Sequence, residues 1–219
     1  MIMENFEGKV QAFWGDVQKQ YLELVQEGGI AENTDFYVFQ TGYRHKPDLM
    51  IVGINPAGGD DNGDRWLCPP NNFNNYTKCD DVWFQTLRKI FGYPDNENLK
   101  TYLDDCVGSN EVFINTGSQR KLRQLHTSVF GPTLIRQLVT KIIEPKHIVA
   151  LGKDVFYALR TGKETFQKFG DVNFKYAHSS NGVPICFIPN PSKQNIKYFN
   201  NASLLKDWQN ALEWFMKLE

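Results

Sequence analysis

"MIVGINPAGGDDNGD", residues 50–64, begins as a buried strand and stops abruptly. Met50, Ile51 and Val52 are apolar in succession, and Asn55, Pro56, Gly58, Gly59 and three aspartates follow. An apolar run without polar alternation suits a strand covered on both faces, as in parallel sheets. A connector needs only one or two turn residues. This glycine-rich acidic loop therefore reads as a segment whose backbone something approaches closely.

Similar runs recur along the chain. "DFYVFQTG" (35–42), "EVFIN" (111–115) and "KHIVALG" (146–152) read as further strands. "VNFKYAHS" (172–179) and "VPICFIP" (183–189) flank Asn181-Gly182, a strong hairpin signal. Between them lie helical patterns. Phe6, Val10, Phe13, Val17, Tyr21 and Leu24 recur at spacings of 4, 3, 4, 4 and 3, and Gly28-Gly29 stops them. Helices are also predicted over 80–91 with Asp80 as N-cap, 96–106, 132–143 before Pro145, 153–160 and about 201–217. Buried strands alternating with helices argue an α/β fold, three layers around a mostly parallel sheet. No linker, repeat or low-complexity segment breaks residues 1–219, which read as one domain with an N-terminal helix over about 4–27 packed on it.

Composition narrows the class. The 219 residues carry 41% hydrophobic and 22% charged side chains, ordinary for a globular domain. No apolar run approaches a membrane span, and "MIMENFEGKVQAFW" lacks a signal peptide's basic and apolar regions, so a cytoplasmic protein with no membrane partner is expected. Cys68, Cys79, Cys106 and Cys186 are scattered without a C-x-x-C pair, so no metal and no cofactor is expected. Net charge is −1, so any nucleic-acid partner needs a local basic cluster. His45, His126, His147 and His178 fall in no motif, and there is no G-x-S-x-G elbow, P-loop or G-x-G-x-x-G.

In open α/β sheets, ligands bind beyond the carboxyl ends of the strands. Three predicted strands end at or near an asparagine: Asn55, Asn115 and Asn190. In a parallel sheet those three polar groups share one rim.

On these residues the chain resembles the uracil-DNA glycosylase superfamily. "GINPAG" (Gly53, Ile54, Asn55, Pro56, Ala57) is similar to the first motif of its mismatch-specific and single-strand-selective branches. "IPNPSKQN" (188–195) is similar to the late H-P-S or N-P-S motif, and "VFINTGSQ" resembles the middle strand whose terminal Asn reads the uracil ring. "IVALGKDVFYAL" resembles the strand-Gly-helix unit before the late motif. Order and spacing agree over roughly residues 45–215. Ala57 stands where those branches usually carry glycine, and Asn190 where the most active ones carry histidine. The mismatch-specific branch tolerates Asn there.

The resemblance implies a three-layer α/β/α fold with a central, mostly parallel four-stranded sheet. It implies a monomeric, monofunctional glycosylase that hydrolyses the N-glycosidic bond of uracil, or a related damaged base, flipped out of DNA. Asn55 would orient the attacking water, with Asp60 and Asp61 as alternative bases. Asn115 would read the ring through a donor and an acceptor. Asn190 would stabilise the departing base, and Ser192 would hold a phosphate. Gly53, Ile54, Pro56 and Ala57 would wall the base site. An aromatic platform would come from Trp66, Phe73 or Tyr76, with Phe73 best placed. Arg120, Lys121, Arg123, Lys193 and Lys197 would supply the basic cluster, with Gln194 or Ile196 as a wedge and Asn195 beside them on DNA. Two other functions stay open: an inactive binder of uracil-containing or single-stranded DNA, and an N-glycosidic hydrolase of free nucleosides or nucleotides.

Overall fold

The computed structural model describes residues 5–30, 36–54, 82–114, 131–191 and 195–218. Within them the chain is an α/β protein built on one mixed sheet. Its strands are β1 (Leu49–Gly53), β2 (Val107–Asn110), β3 (His147–Leu151), β4 (Thr161–Phe169), β5 (Val172–His178) and β6 (Pro184–Ile188), in the order β2-β1-β3-β6-β5-β4. The first four in that order run parallel. The last two join antiparallel.

Six α-helices occur among the described residues: α1 (Phe6–Gln26), α2 (Val82–Ile90), α3 (Asn96–Asp104), α4 (Pro132–Gln137), α5 (Lys153–Leu159) and α6 (Ala202–Phe215). The apolar strands explain how the helices are distributed, because successive side chains of a strand point to opposite faces. Met50 and Val52 of β1, with Ile148 and Ala150 of β3, pack on Val10, Phe13 and Val17 of α1, Leu134 of α4 and Phe156 of α5. Leu49, Ile51, Val149 and Leu151 pack the other way, on Phe84 of α2, Leu99 of α3 and Trp208 and Phe215 of α6. Asn5 caps α1, its Oδ1 accepting from the Gly8 amide at 2.8 Å. A cap of this kind contributes about 1 kcal/mol.

The sheet has six strands, not four. The hairpin predicted around Asn181-Gly182 forms between β5 and β6, with Ser179 and Val183 closing its turn (N to O, 2.9 Å). β4 is the unforeseen strand. Its sequence, TGKETFQKF, has few apolar positions because most of it is exposed on the sheet's last edge. Residues 35–42 give no strand among the described positions 36–42, only single antiparallel bridges, Phe36 to Ile114 and Phe39 to Ser109. They act as a strap over the outer edge of β2: the Gly108 amide donates to Thr41 Oγ1 (2.7 Å) and Ser109 Oγ donates to Val38 O (2.6 Å).

The strand expected over 111–115 lies four residues earlier, at Val107–Asn110. Val112, Phe113 and Ile114 are apolar because they are buried in the core, where Phe113 meets Phe13 edge-on at 6.2 Å, rather than because they extend the ladder. The helix expected over 132–143 is α-helical to Gln137 and π-helical over Leu138–Ile143. It ends at Glu144, whose φ of 52° is left-handed, just before Pro145.

Candidate functional site at the carboxyl edge of the parallel strands

Register brings the four parallel strands to a common end. Gly53 pairs with Asn110, the Val52–Ala150 pairing sets Gly53 level with Leu151, and Leu151 pairs with Ile188. One row, Asn110–Gly53–Leu151–Ile188, thus closes the sheet. The chain beyond it begins at Ile54, Glu111, Gly152 and Pro189. Two hydrogen bonds hold the exit of β2 against that of β1, Glu111 N to Gly53 O (2.8 Å) and Val112 N to Ile54 O (2.9 Å). The Gly152 amide, opening α5, donates to Ile188 O at 2.9 Å. Residues separated by more than 130 positions in the chain are in this way fixed on one rim.

Asn110 occupies the end of β2 and is 5% exposed. Its Nδ2 has no hydrogen-bond partner among the described residues. Its Oδ1 lies over Gly53, so close that a Cβ on Gly53 would stand 2.7 Å from it. A side chain at 53 would have to push the Asn110 amide aside. Glu111, next in the chain, is buried, at 1% exposure. Asn190 lies two residues beyond the end of β6, and its Oδ1 is likewise buried without a partner among the described residues. Its backbone carbonyl accepts from Asn195 Nδ2 at 3.0 Å, which closes the loop 190–195 on itself. An orphan buried polar atom costs about 1–3 kcal/mol. Trp14 Nε1 and Arg88 Nε are buried in the same way elsewhere in the fold; Asn110 and Asn190 are set apart by their place on the rim. Here a donor and an acceptor stand at the two sides of the same rim.

Of the sequence-predicted site residues, the structure describes Gly53, Ile54, Asn190, Asn195, Ile196 and Lys197. Gly53 and Asn190 stand at the rim, Ile54 packs its side chain against the core below it, and Asn195 braces the late loop. Asn55, Pro56, Ala57, Phe73, Asn115, Arg120, Lys121, Ser192, Lys193 and Gln194 lie outside the described residues. So do Asp60, Asp61, Trp66, Tyr76 and Arg123. Lys197 is described: its ammonium sits 5.3 Å from the centroid of the Tyr198 ring, in the short turn Ile196–Tyr198 after the late loop.

Sequence reasoning missed Asn110. "VGSN" has no run of large apolar residues, so nothing in it announces a strand. The available signal was its placement, an asparagine before a charged residue just upstream of an apolar run.

A separate groove of about 550 Å³ opens beside the second half of α6, lined by Tyr93, Tyr102, Gln209 and Leu212. It faces the amino edge, where Leu218 O meets His147 Nε2 at 2.9 Å, and is apart from the rim. No group of three or more His, Cys, Asp or Glu side chains is placed to hold a metal among the described residues. No helix among them is long and apolar enough to cross a membrane. No family model matches the chain, and no curated protein matches it.

Proposed function

We propose that this protein is a monofunctional DNA glycosylase that hydrolyses the N-glycosidic bond of uracil, or a related damaged base, held flipped out at the carboxyl rim. The observation that carries this reading is a pair of buried rim atoms without a partner among the described residues, Asn110 Nδ2 and Asn190 Oδ1, one donor and one acceptor. Their strands are separated by three inter-strand steps, about 14 Å at the usual sheet spacing. A uracil ring offers alternating carbonyl and N–H groups, complementary to a donor and an acceptor. Cytosine presents an amine and a bare ring nitrogen in place of O4 and N3–H, and would leave both amides mismatched.

Two further features support the reading. The motifs "GINPAG" and "IPNPSKQN", similar to the outer motifs of the uracil-DNA glycosylase superfamily, begin at the exits of β1 and β6 on that same rim. On this reading the four contiguous parallel strands would be the four-stranded core that the resemblance implies, with the β4–β5 hairpin as an addition to it.

The chemistry follows from the residues. The C1′–N1 bond breaks with its electron pair leaving on the base, while the sugar gains oxocarbenium character. Water oxygen bonds to C1′ and its proton is released. Asn55 orients that water through its amide oxygen, and Asn190 steadies the departing anion by donating from its Nδ2 to O2. With no charged group in either role, the enzyme is slow.

Base release from a labelled oligonucleotide holding one uracil tests the reading, single-stranded and opposite guanine or adenine, with Asn55→Ala in parallel. Alkali-revealed cleavage by wild type and its loss in the variant are expected. Binding without cleavage in every context would instead make the chain a binding module. Release from free nucleosides alone would make it a nucleoside hydrolase.

A further inference from the structure

The β4–β5 hairpin carries a row of aromatic and basic side chains that the base site does not use. Phe166 of β4 pairs with Lys175 of β5, and the pairing of Tyr176 with Cys186 sets Lys175 level with Phe187 of β6. The Lys175 ammonium therefore lies between two rings, 5.3 Å from the Phe166 centroid and 6.0 Å from that of Phe187. It also donates to Tyr157 Oη (3.2 Å) and pairs with Glu164 Oε1 (3.2 Å), which ties the hairpin to α5. Arg160 lies over the same Tyr157 ring, 4.7 Å from its centroid. The inner half of this row is a connected network.

The outer half is open. Phe166 is 56% exposed, and Lys163 and Lys168 beside it are exposed. From Lys153 to Lys175 the chain has five cations, Lys153, Arg160, Lys163, Lys168 and Lys175, against Asp154, Glu164 and Asp171, a surplus of two in a protein of net charge −1. The row also leads to the rim. Lys168 pairs with Asn173, and the β5–β6 register carried onward sets Val172 level with Asn190. Lys153 opens α5 directly after Gly152 on that edge.

We propose that the open face of this hairpin binds single-stranded nucleic acid, as the track for the strand flanking the extracted base. The proposal rests on the glycosylase reading for its orientation. An exposed ring with a cation on one face stacks a base on the other, and Lys168, two residues on along the same face, takes an adjoining phosphate. A duplex keeps its bases stacked internally and offers this row phosphates alone. A protein strand adding to β4 is opposed by Lys163 and Lys168, because lysines on an edge strand discourage edge-to-edge pairing.

The test is fluorescence anisotropy with labelled uracil-free oligothymidylate and its duplex, on the whole chain, for wild type, Phe166→Ala and Lys168→Ala. Both side chains are exposed, so melting temperatures stay at the wild-type value. Phe166→Ala is expected to weaken single-strand binding roughly 10-fold and to leave duplex binding nearly unchanged. Lys168→Ala is expected to lower the slope of log affinity against log salt by about 0.7. Wild-type binding in both variants, equal loss on single strand and duplex, or no oligothymidylate binding by wild type at low salt would each overturn the proposal. Uracil release by wild type is scored separately. If binding depends on Phe166 but no uracil is released, the glycosylase reading fails and the hairpin track stands. If uracil is released and both variants bind like wild type, the hairpin track fails alone.

Discussion

Gly53→Ala isolates the contact on which the rim depends. The added Cβ would stand 2.7 Å from Asn110 Oδ1, closer than side-chain carbons approach their neighbours. Asn110 is buried at the strand end, so its amide cannot swing freely into solvent. Overpacking of this kind costs about 1–3 kcal/mol. Replacing glycine by alanine returns about 0.4–1 kcal/mol by restricting the unfolded chain. The net is a destabilisation of about 1–2 kcal/mol, a fall in Tm of roughly 2–8 °C for a domain of this size. Asn110→Ala removes the clashing oxygen. In that background Gly53→Ala is expected to be neutral or mildly stabilising, which gives a coupling of about 1–3 kcal/mol in a double-mutant cycle. Urea unfolding of the four proteins measures it. Equal cost of Gly53→Ala in both backgrounds would refute the contact and, with it, the geometry assigned to Asn110.

Asn110→Ala alone is expected to separate stability from activity. Losing an orphan amide relieves a desolvation cost of about 1–3 kcal/mol, which offsets the cavity left behind, so Tm barely moves while uracil release falls about 100-fold or more; a melt and a single-turnover assay on the same preparation check both. Acid titration bears on the hairpin. Burial opposes the charge of Glu164, but hydrogen bonds from Lys175 and Tyr157 and the charges of Lys175 and Arg160 outweigh it and hold its carboxyl below the ordinary glutamate value. A carboxyl lowered in the folded state contributes stability that is present above its unfolded pKa and is lost as pH falls through the folded value. Glu164→Gln is therefore expected to flatten the decline in stability just below the ordinary glutamate range, as followed by thermal melts across that pH span. Burial, with the charge of Asp105 second, pushes the Cys106 thiol up to about 12, and burial pushes Cys186 well above the usual thiol range. Neither is expected to react with a thiol reagent at pH 8 until the protein unfolds, as peptide mapping of alkylated protein will show.

The parts of the fold legible in the sequence are those where burial alone dictates residue type. β1, β3 and β6 are buried on both faces, so their apolar runs stand out. The same holds for the stripe of α1, whose Val10, Phe13, Val17 and Tyr21 all reach the core. β4 was illegible because an edge strand with most residues in solvent needs no apolar pattern. β2 was misplaced because two forces acted on neighbouring stretches. Small residues at 107–110 accommodate the strap, with Thr41 and Val38 bonded across them, while the large apolar residues at 112–114 fill the core without joining the ladder. The candidate site was legible at Gly53 and Asn190, where a strand meets a turn. Asn110 was hidden because its place on the rim depends on register with Gly53, and register is a tertiary fact.

The side-chain amide resonances of Asn110 and Asn190 in 15N-labelled protein, titrated with free uracil and with cytosine, test the central claim most directly. Their assignments follow from the signals lost in Asn110→Ala and Asn190→Ala. Both amides are expected to shift together with uracil, along one binding curve, and to stay in place with cytosine. Amides that stay in place at millimolar uracil, or that respond equally to both bases, would contradict a uracil site at this rim.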